Sequence, residues 1–544
     1  MKNTLNDTSE WWREAVIYQV YPRSFKDSNG DGIGDLRGIT EKLDYIADLG
    51  VDIVWISPFF TSPMKDFGYD VADYCNVDPL FGRLEDFDEL VERAHQLGLK
   101  IMIDQVLSHT SDIHPWFIES RLNRDNPKAN WYVWADPKPD GTPPNNWLSI
   151  FGGSAWQWDT RRRQYYLHNF LTSQPDMNFH HPEVQAAHLA NMRFWLDRGV
   201  DGFRMDACIY HFHDQALRDN PVAAKQNTVN VAASNPYGMQ AHIYDNSRPE
   251  NLAFLEKVRC LLDEYHAISI GEIGADDALE VMAQYTEGGR RLHMAYSFNL
   301  LTAEFSAAHF RRQVESFEAR VKDGGASWSV GNHDVMRVLT RWGGAEPKPA
   351  FAKLILTLQL ALKGTPCLYQ GDELGLPEAQ LSYEDLQDPV GLTFWPESKG
   401  RDGCRTPIPW NASEEFAGFS GCKPWLPIPA AHLAFAANQQ EKDVDSVLHF
   451  TRRIMRWRKT IPQLLRGDIQ FFDLPEPILG FSRELEGAPD LVVAFNLSDR
   501  PVRVELPIVR DAIALSGHGL SGQKEDGHLY LPAYGGWFGI KRST

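Results

Sequence analysis

Short apolar runs alternate with amphipathic stretches that stop at glycine, and this alternation limits the fold more than any single residue does. Residues 43–50 read as a helix end closed by Gly50, and 51–56 read as a strand. Residues 84–97 read as a helix stopped by Gly98, with a strand at 100–106. Residues 182–198, stopped by Gly199, lead into a strand at 201–206, and the helix 252–265 leads into one at 267–272. Residues 16–21 precede these, and 294–298, 328–331 and 365–369 follow. Strands separated by helices cannot be joined as hairpins, so they form βαβ units and a parallel sheet. Eight such strands predict an α/β protein built on a (β/α)8 TIM barrel.

The rhythm breaks where something is added. Residues 107–177 are rich in Trp, Pro, Asn and Gly without a helical period, too long for a bare loop in a compact fold. They are expected to form an inserted subdomain between residues 1–106 and 178–466, the two parts of the barrel. A polar insertion falls at about 210–248, and an irregular one at about 372–430, within the second part. From 467 to 544 short alternating strands and turns predict a C-terminal antiparallel β domain.

A formal charge of −19 argues against nucleic acid and anionic membranes and suits a neutral small-molecule partner. The six cysteines form no C-x-x-C pair, so they read as free thiols of a reducing compartment. Residues 1–7 contain no apolar leader, and no stretch of about 20 apolar residues occurs. A cytoplasmic monomer or homodimer with no membrane contact is expected.

In such barrels the working groups project from the C-terminal ends of the strands. Strand side chains alternate, so Gly202, Arg204 and Asp206 share one face of 201–206, and Phe203 and Met205 the other. Read alone, the Arg204–Asp206 pair fits a buried structural ion pair equally well. Asp104 with His109 ends the third strand, Glu272 the fifth, and Asn332-His333-Asp334 the seventh. Asp206, Glu272 and Asp334 therefore converge on one mouth, where crowding raises carboxylate pKa values and keeps one acid protonated. Two carboxyls about 5–5.5 Å apart are the retaining-glycosidase arrangement. Separately, Asp27, Asn29, Asp31 and Asp35 place oxygen side chains at positions 1, 3, 5 and 9 of a Gly-rich loop. With the Ile33 carbonyl they form a candidate site for a hard cation, although Gly38 stands where an EF-hand needs its acid.

Asp104-Gln-Val-Leu-Ser-His109, Gly202-Phe-Arg-Met-Asp206, Gly271-Glu272 and Asn332-His-Asp334 resemble, in order, the four short regions of the α-amylase family of glycoside hydrolases. Gln174-Pro-Asp-Met-Asn178, Tyr369-Gln-Gly-Asp-Glu-Leu-Gly375 and Gly400-Arg-Asp-Gly-Cys-Arg-Thr-Pro-Ile-Pro-Trp410 resemble its oligo-1,6-glucosidase and α-glucosidase branch. The resemblance implies Asp206 as nucleophile, kept ionised by Arg204, Glu272 as acid/base and Asp334 as transition-state stabiliser. It implies that His109 and His333 donate to sugar hydroxyls and that Tyr69 stacks on the sugar. Asp66 and Tyr69 would close the far end of the pocket and Asp66 and Arg401 would grip the non-reducing-end hydroxyls, with Arg405 a weaker choice than Arg401. The loop 27–35 would hold a structural Ca²⁺ or Mg²⁺. The sequence departs from the family at Ser108, where Asn is usual, and in the insertion after Asp206. Tyr210 and Phe212 are expected to roof the leaving-group side.

The activity so implied is a retaining, exo-acting α-glucosidase on short α-1,4-glucosides such as maltose, with transfer of glucose to acceptor hydroxyls. The small Ala207 after the nucleophile favours α-1,4 linkages, since Val there accompanies α-1,6 action in the branch. An oligo-1,6-glucosidase, a sucrose- or trehalose-converting isomerase, and a non-catalytic binding relative are the competing readings.

Overall fold

Eight short strands pair edge to edge into a closed parallel barrel. They are β1 (Ile17–Val20), β2 (Ile53–Ile56), β3 (Lys100–Val106), β4 (Gly202–Asp206), β5 (Ile268–Ile273), β6 (Met294–Ser297), β7 (Gly325–Ser329) and β8 (Thr365–Tyr369). The computed structural model describes residues 8–227, 231–321, 323–344 and 348–541. Residues 1–7, read above as lacking an apolar leader, lie outside the described residues, as do 228–230 of the insertion after β4. Neighbours around the barrel follow chain order, and β8 closes on β1 through Ile17↔Cys367 and Gln19↔Tyr369.

The helices end where glycine can take a left-handed backbone. Helix Leu43–Leu49 is capped by Gly50 at φ 89°, and Gly98 and Gly199 follow helices Leu84–Gln96 and Pro182–Leu196 at φ 76° and 89°. The seventh strand departs from the expected 328–331. It begins at Gly325, because Gly325 and Ala326 pair with Met294 and Ala295 of β6. A Cβ at Gly325 would sit 2.5 Å from the Trp12 ring, so only glycine lets that indole close the barrel's N-terminal end. A Gly-Gly-Ala run carries no strand signal of its own; the packing of Trp12 supplies it.

The barrel interior is layered. Ile17, Ile53, Met102, Ile268 and Met294 fill the N-terminal end with Trp12. One pleat further up each strand the same inner face carries Gln19, Trp55, Asp104, Arg204 and Tyr296, all buried. Phe203 and Met205 face outward into the main core under the helices. Fold stability therefore comes from the lower layer and the outer shell, leaving polar groups to occupy the upper mouth.

Between β3 and helix Pro182–Leu196 lies a three-stranded antiparallel sheet of Trp134–Ala135, Gln164–Leu167 and Trp156–Asp159. The insertion after β4 is clasped to it. Asn146 donates to the Asn220 carbonyl and accepts from its N–H, both at 2.8 Å, and Asn235 donates to the Ile150 carbonyl at 2.8 Å. After helix Val447–Arg458, a five-stranded antiparallel sheet begins at Asp468. All six cysteines are free thiols, and no helix among the described residues is long and apolar enough to cross a membrane.

Candidate active site

Arg204 is the hub of the barrel mouth. Its guanidinium is fully buried and donates from Nη1 to Asp104 Oδ1 at 2.6 Å and to Asp206 Oδ1 at 2.5 Å. From Nη2 it donates to Glu272 Oε1 at 2.6 Å and to Tyr296 OH at 2.9 Å. One fork thus fixes carboxylates from three strands, geometry that a lysine point charge cannot supply. Tyr296 OH also donates to Glu272 Oε1 at 3.0 Å, and the Ala207 N–H donates to Oε2 at 3.1 Å. Ala207 reaches that position only because its backbone is left-handed, at φ 43°.

Three carboxyls around one cation leave an excess of negative charge. Burial pushes the Asp206 carboxyl well above its ordinary range, and Glu272 and Asp104 add to this while Arg204 opposes it without prevailing. Arg204 does lower the Asp206 carboxyl, as expected, but in this geometry burial and the neighbouring acids outweigh it. Burial likewise raises Asp104 to about 6 against the pull of Arg204. Asp334 behaves oppositely. Burial works against its ionisation, but His333, Arg401, Arg405 and Arg204 outweigh it and hold Asp334 well below the ordinary range. Burial also keeps His333 neutral, so the guanidinium groups carry that effect: Arg405 donates to Asp334 Oδ1 at 2.9 Å and Arg401 at 3.3 Å. In one mouth, then, Asp206 and Asp104 are pushed toward the protonated form and Asp334 toward the ionised one.

Asp66, Tyr69, His109, Asp206, Glu272, Asp334 and Arg401 line one cavity of about 330 Å³. Its far end is shut by Arg401, which donates to Asp66 Oδ1 at 2.9 Å and Asp388 Oδ1 at 2.7 Å. Arg204 and His333 lie behind the wall. Both ring nitrogens of His333 are engaged, Nδ1 with Gln19 at 2.8 Å and Nε2 with Tyr69 OH at 2.6 Å, and the two rings stack 5.4 Å apart. His333 thus orients Tyr69 in the present geometry. His109 lines the cavity, with Nε2 2.9 Å from the Tyr69 carbonyl and Nδ1 3.0 Å from Ser108 Oγ, so the atypical Ser108 supports the ring.

Sequence reasoning did not single out Asp388 or Tyr296. Asp388 sits in an irregular insertion with no motif around it, and Tyr296 reads as one more aromatic in an apolar strand. Of the two aromatics expected in the roof, Tyr210 lines the cavity with Val231, Ala232 and Asn235. Phe212 instead packs on Phe179 and His180. The remaining wall is apolar, with Phe151, Phe170, Ile209, Phe298, Val390 and Phe394.

In the loop 27–35, Asp27 accepts from Asn29, Gly30 and Gly32 N–H groups and from Ser420 Oγ. Asp35 accepts from Ser28 and Gly38, capping helix Leu36–Glu41. Asn29 and Asp31 side chains each accept one loop N–H, from Asp31 and Ile33. Among the described residues no three His, Cys, Asp or Glu side chains gather as a metal cluster. A cation here would draw on the Asn29 side chain and the Ile33 carbonyl besides the acids.

The family description "Alpha amylase, catalytic domain" matches residues 19–467. The chain belongs to the alpha-amylase family. Within it, a probable alpha-glucosidase of Rhizobium meliloti is 54% identical over 98% of this chain and 99% of its own length. An oligo-1,6-glucosidase of Heyndrickxia coagulans is 37% identical over 92% of this chain and 94% of its own. The crystal structure of an alpha-glucosyl transfer enzyme, XgtA, superposes with a TM-score of 0.96 at 57% identity, covering 98% of this chain and all of that one (100%). The alpha-amylase fold, with its barrel and C-terminal sheet, is thus the architecture described above.

Proposed function

We propose that this protein is a retaining, exo-acting α-glucosidase that also transfers glucose to acceptor hydroxyls. The observation that carries the reading is the pairing of Asp206 and Glu272 on one guanidinium at the base of a cavity shut by Arg401, Asp66 and Asp388. A closed end admits one sugar ring from its non-reducing end. The reaction needs Asp206 ionised as nucleophile and the proton on Glu272. Asp206 then attacks the anomeric carbon as Glu272 protonates the departing glycosidic oxygen. In the second half, Glu272 takes a proton from water or an acceptor hydroxyl, whose oxygen displaces Asp206 from the sugar. Asp334, held ionised, binds the ring hydroxyls and stabilises positive charge at the anomeric carbon, while Asp66 and Arg401 grip the far hydroxyls.

The preference proposed is α-1,4, because Ala207 lines the leaving-group side and leaves room that a branched side chain would fill. Transfer is favoured by the apolar wall around Tyr210, Phe170 and Phe394, which holds an acceptor better than it holds water. The roof clasped at Asn146 limits donors to disaccharides. The loop 27–35 takes one Ca²⁺ or Mg²⁺ as a structural ion; its alternating oxygens and the loop N–H groups that aim them support this.

Product analysis tests the reading. Concentrated maltose with a phenolic acceptor should yield a glucosylated phenol, and maltose should exceed isomaltose and maltotriose in kcat/KM. Glucose as the sole product would remove the transfer claim. Isomaltose as the better substrate would move the assignment to the oligo-1,6-glucosidases, among which a relative at 37% identity stands.

A further inference from the structure

The insertion after β4 contains a buried charged pair that the reaction above does not use. His242 and Asp245 are 5% and 0% exposed. His242 Nδ1 lies 2.7 Å from Asp245 Oδ2, and Nε2 lies 2.9 Å from the Tyr237 carbonyl. A carbonyl faces one ring nitrogen and a carboxyl group the other, a pairing that favours hydrogen on both nitrogens and so the imidazolium form. The Tyr237 ring stacks on it at 3.7 Å and 17°, as a cation on an aromatic face does. At the other end of that side chain, Tyr237 OH lies 2.6 Å from Tyr210 OH. Tyr210 is part of the cavity wall beside Ala207.

We propose that Tyr237, clamped by the His242–Asp245 ion pair, is a positioning residue that fixes the Tyr210 ring as the wall of the acceptor subsite and so sets how the glucosyl intermediate divides between acceptor and water. The inference rests on the transfer reading given above. The chain of contacts is continuous from the ion pair to the cavity. The imidazolium holds Tyr237 from two sides, through its carbonyl and through its ring. Tyr237 then holds the Tyr210 hydroxyl, while Phe170 meets the Tyr210 ring edge-on at 5.5 Å. Around the pair, Asp276 accepts from the His242 backbone N–H at 3.1 Å, and Asp176, raised by its burial and further by the Asp245 charge, lies near enough to add to the burial that raises Tyr210. Among the described residues no Lys or Arg hydrogen-bonds or ion-pairs with Tyr237 or Asp245, so the proton on His242 is the local counter-charge. Burial opposes that charge, but Asp245, the Tyr237 carbonyl and Asp276 outweigh burial and raise the pKa. The clamp is complete below that raised pKa and loosens as pH rises through it.

Three measurements on the full-length enzyme test this. α-Glucosyl fluoride places only fluoride in the leaving-group site, so its hydrolysis reports the glucosyl site and its acids alone. Wild-type turnover of it by retention tests the underlying reading separately. Tyr237→Phe removes one hydroxyl and should leave fluoride hydrolysis unchanged while lowering the transfer-to-hydrolysis ratio from maltose about three- to tenfold, the worth of one neutral hydrogen bond. The ratio compares two fates of one intermediate with one general base, so the ionisation of Glu272 cancels from it. In the wild type it should fall with rising pH above the His242 transition, and in His242→Gln it should be low and flat. An unchanged ratio in Tyr237→Phe would overturn the proposal. So would an equal loss of fluoride hydrolysis, or the same pH dependence of the ratio in His242→Gln.

Discussion

At the scale of single residues, two carboxyl groups on one guanidinium must part company for the reaction to run. Asp206→Asn keeps the size and the Arg204 contact region, so the fold should survive while turnover disappears. Glu272→Gln keeps the nucleophile. With a good leaving group the first step needs little acid help, so a glucosyl ester should accumulate on the peptide containing residue 206, read by mass spectrometry. A label on another carboxyl would refute the assignment. Ala207 carries a different argument. Its backbone is left-handed, so a β-branched side chain there is strained as well as bulky. The informative quantity for Ala207→Val is therefore the maltose-to-isomaltose ratio of kcat/KM. It should drop about 10- to 100-fold, the range of one or two methyl groups in a pocket wall.

At the scale of elements, loops added to a rigid barrel decide what reaches the acids. The insertion after β4 is held to the inserted sheet largely through Asn146, which also accepts from Gln240 at 2.8 Å and donates its N–H to Asp219 at 2.9 Å. Asn146→Ala removes two side-chain hydrogen bonds and should raise kcat/KM for maltotriose relative to maltose by a few-fold; an unchanged ratio would mean that the clasp does not limit chain length. The loop 27–35 contributes no residue to the cavity lining, so an ion bound there should act through stability. A ligand that binds only the folded state raises its stability by mass action. Chelation should lower Tm and spare initial rates at low temperature, whereas immediate loss of rate at constant Tm would contradict a structural ion.

At the scale of the whole molecule, buried carboxyls fall into two opposed sets. Burial raises Asp70, Asp104 and Asp372 to about 6 and Glu373 and Glu378 to about 7. Such groups favour the folded state while protonated, so their contribution is complete below about pH 4 and is lost as pH rises through 6 to 7. Asp334 and Asp388 are depressed, against burial, by neighbouring arginines, and theirs is complete above about pH 4 and lost on acidification. The net charge of −19 at pH 7 adds repulsion that mild acid relieves. Against both stand eleven histidines, His109, His188 and His333 among them, that burial lowers; their contribution is complete above about pH 6.5 and is lost as pH falls below it. They outnumber the raised carboxyls, so Tm should be lower near pH 5.5 than at pH 7.5, and a Tm that rises on acidification from pH 7.5 to 5.5 would contradict this balance.

The barrel was legible in the chain because each strand and each glycine stop is a local event. Periodicity, a left-handed cap and an apolar face need only a few neighbouring residues, which is why β3 and β8 fall where the pattern puts them. Asp206 and Glu272 were legible for the same reason, each being the polar end of an apolar run on the barrel's inner face, whereas Asp334 lies in the loop beyond the end of β7. What the sequence could not decide is set by groups far apart in the chain. Gly325 joins β7 because Trp12 lies over it, and Asp388 faces Asp66 because Arg401 binds both. The Asp206 carboxyl rises because the closed barrel buries it and sets Glu272 and Asp104 beside it. Charge balance and packing are sums over everything within a few ångströms, and only the closed barrel brings those terms together.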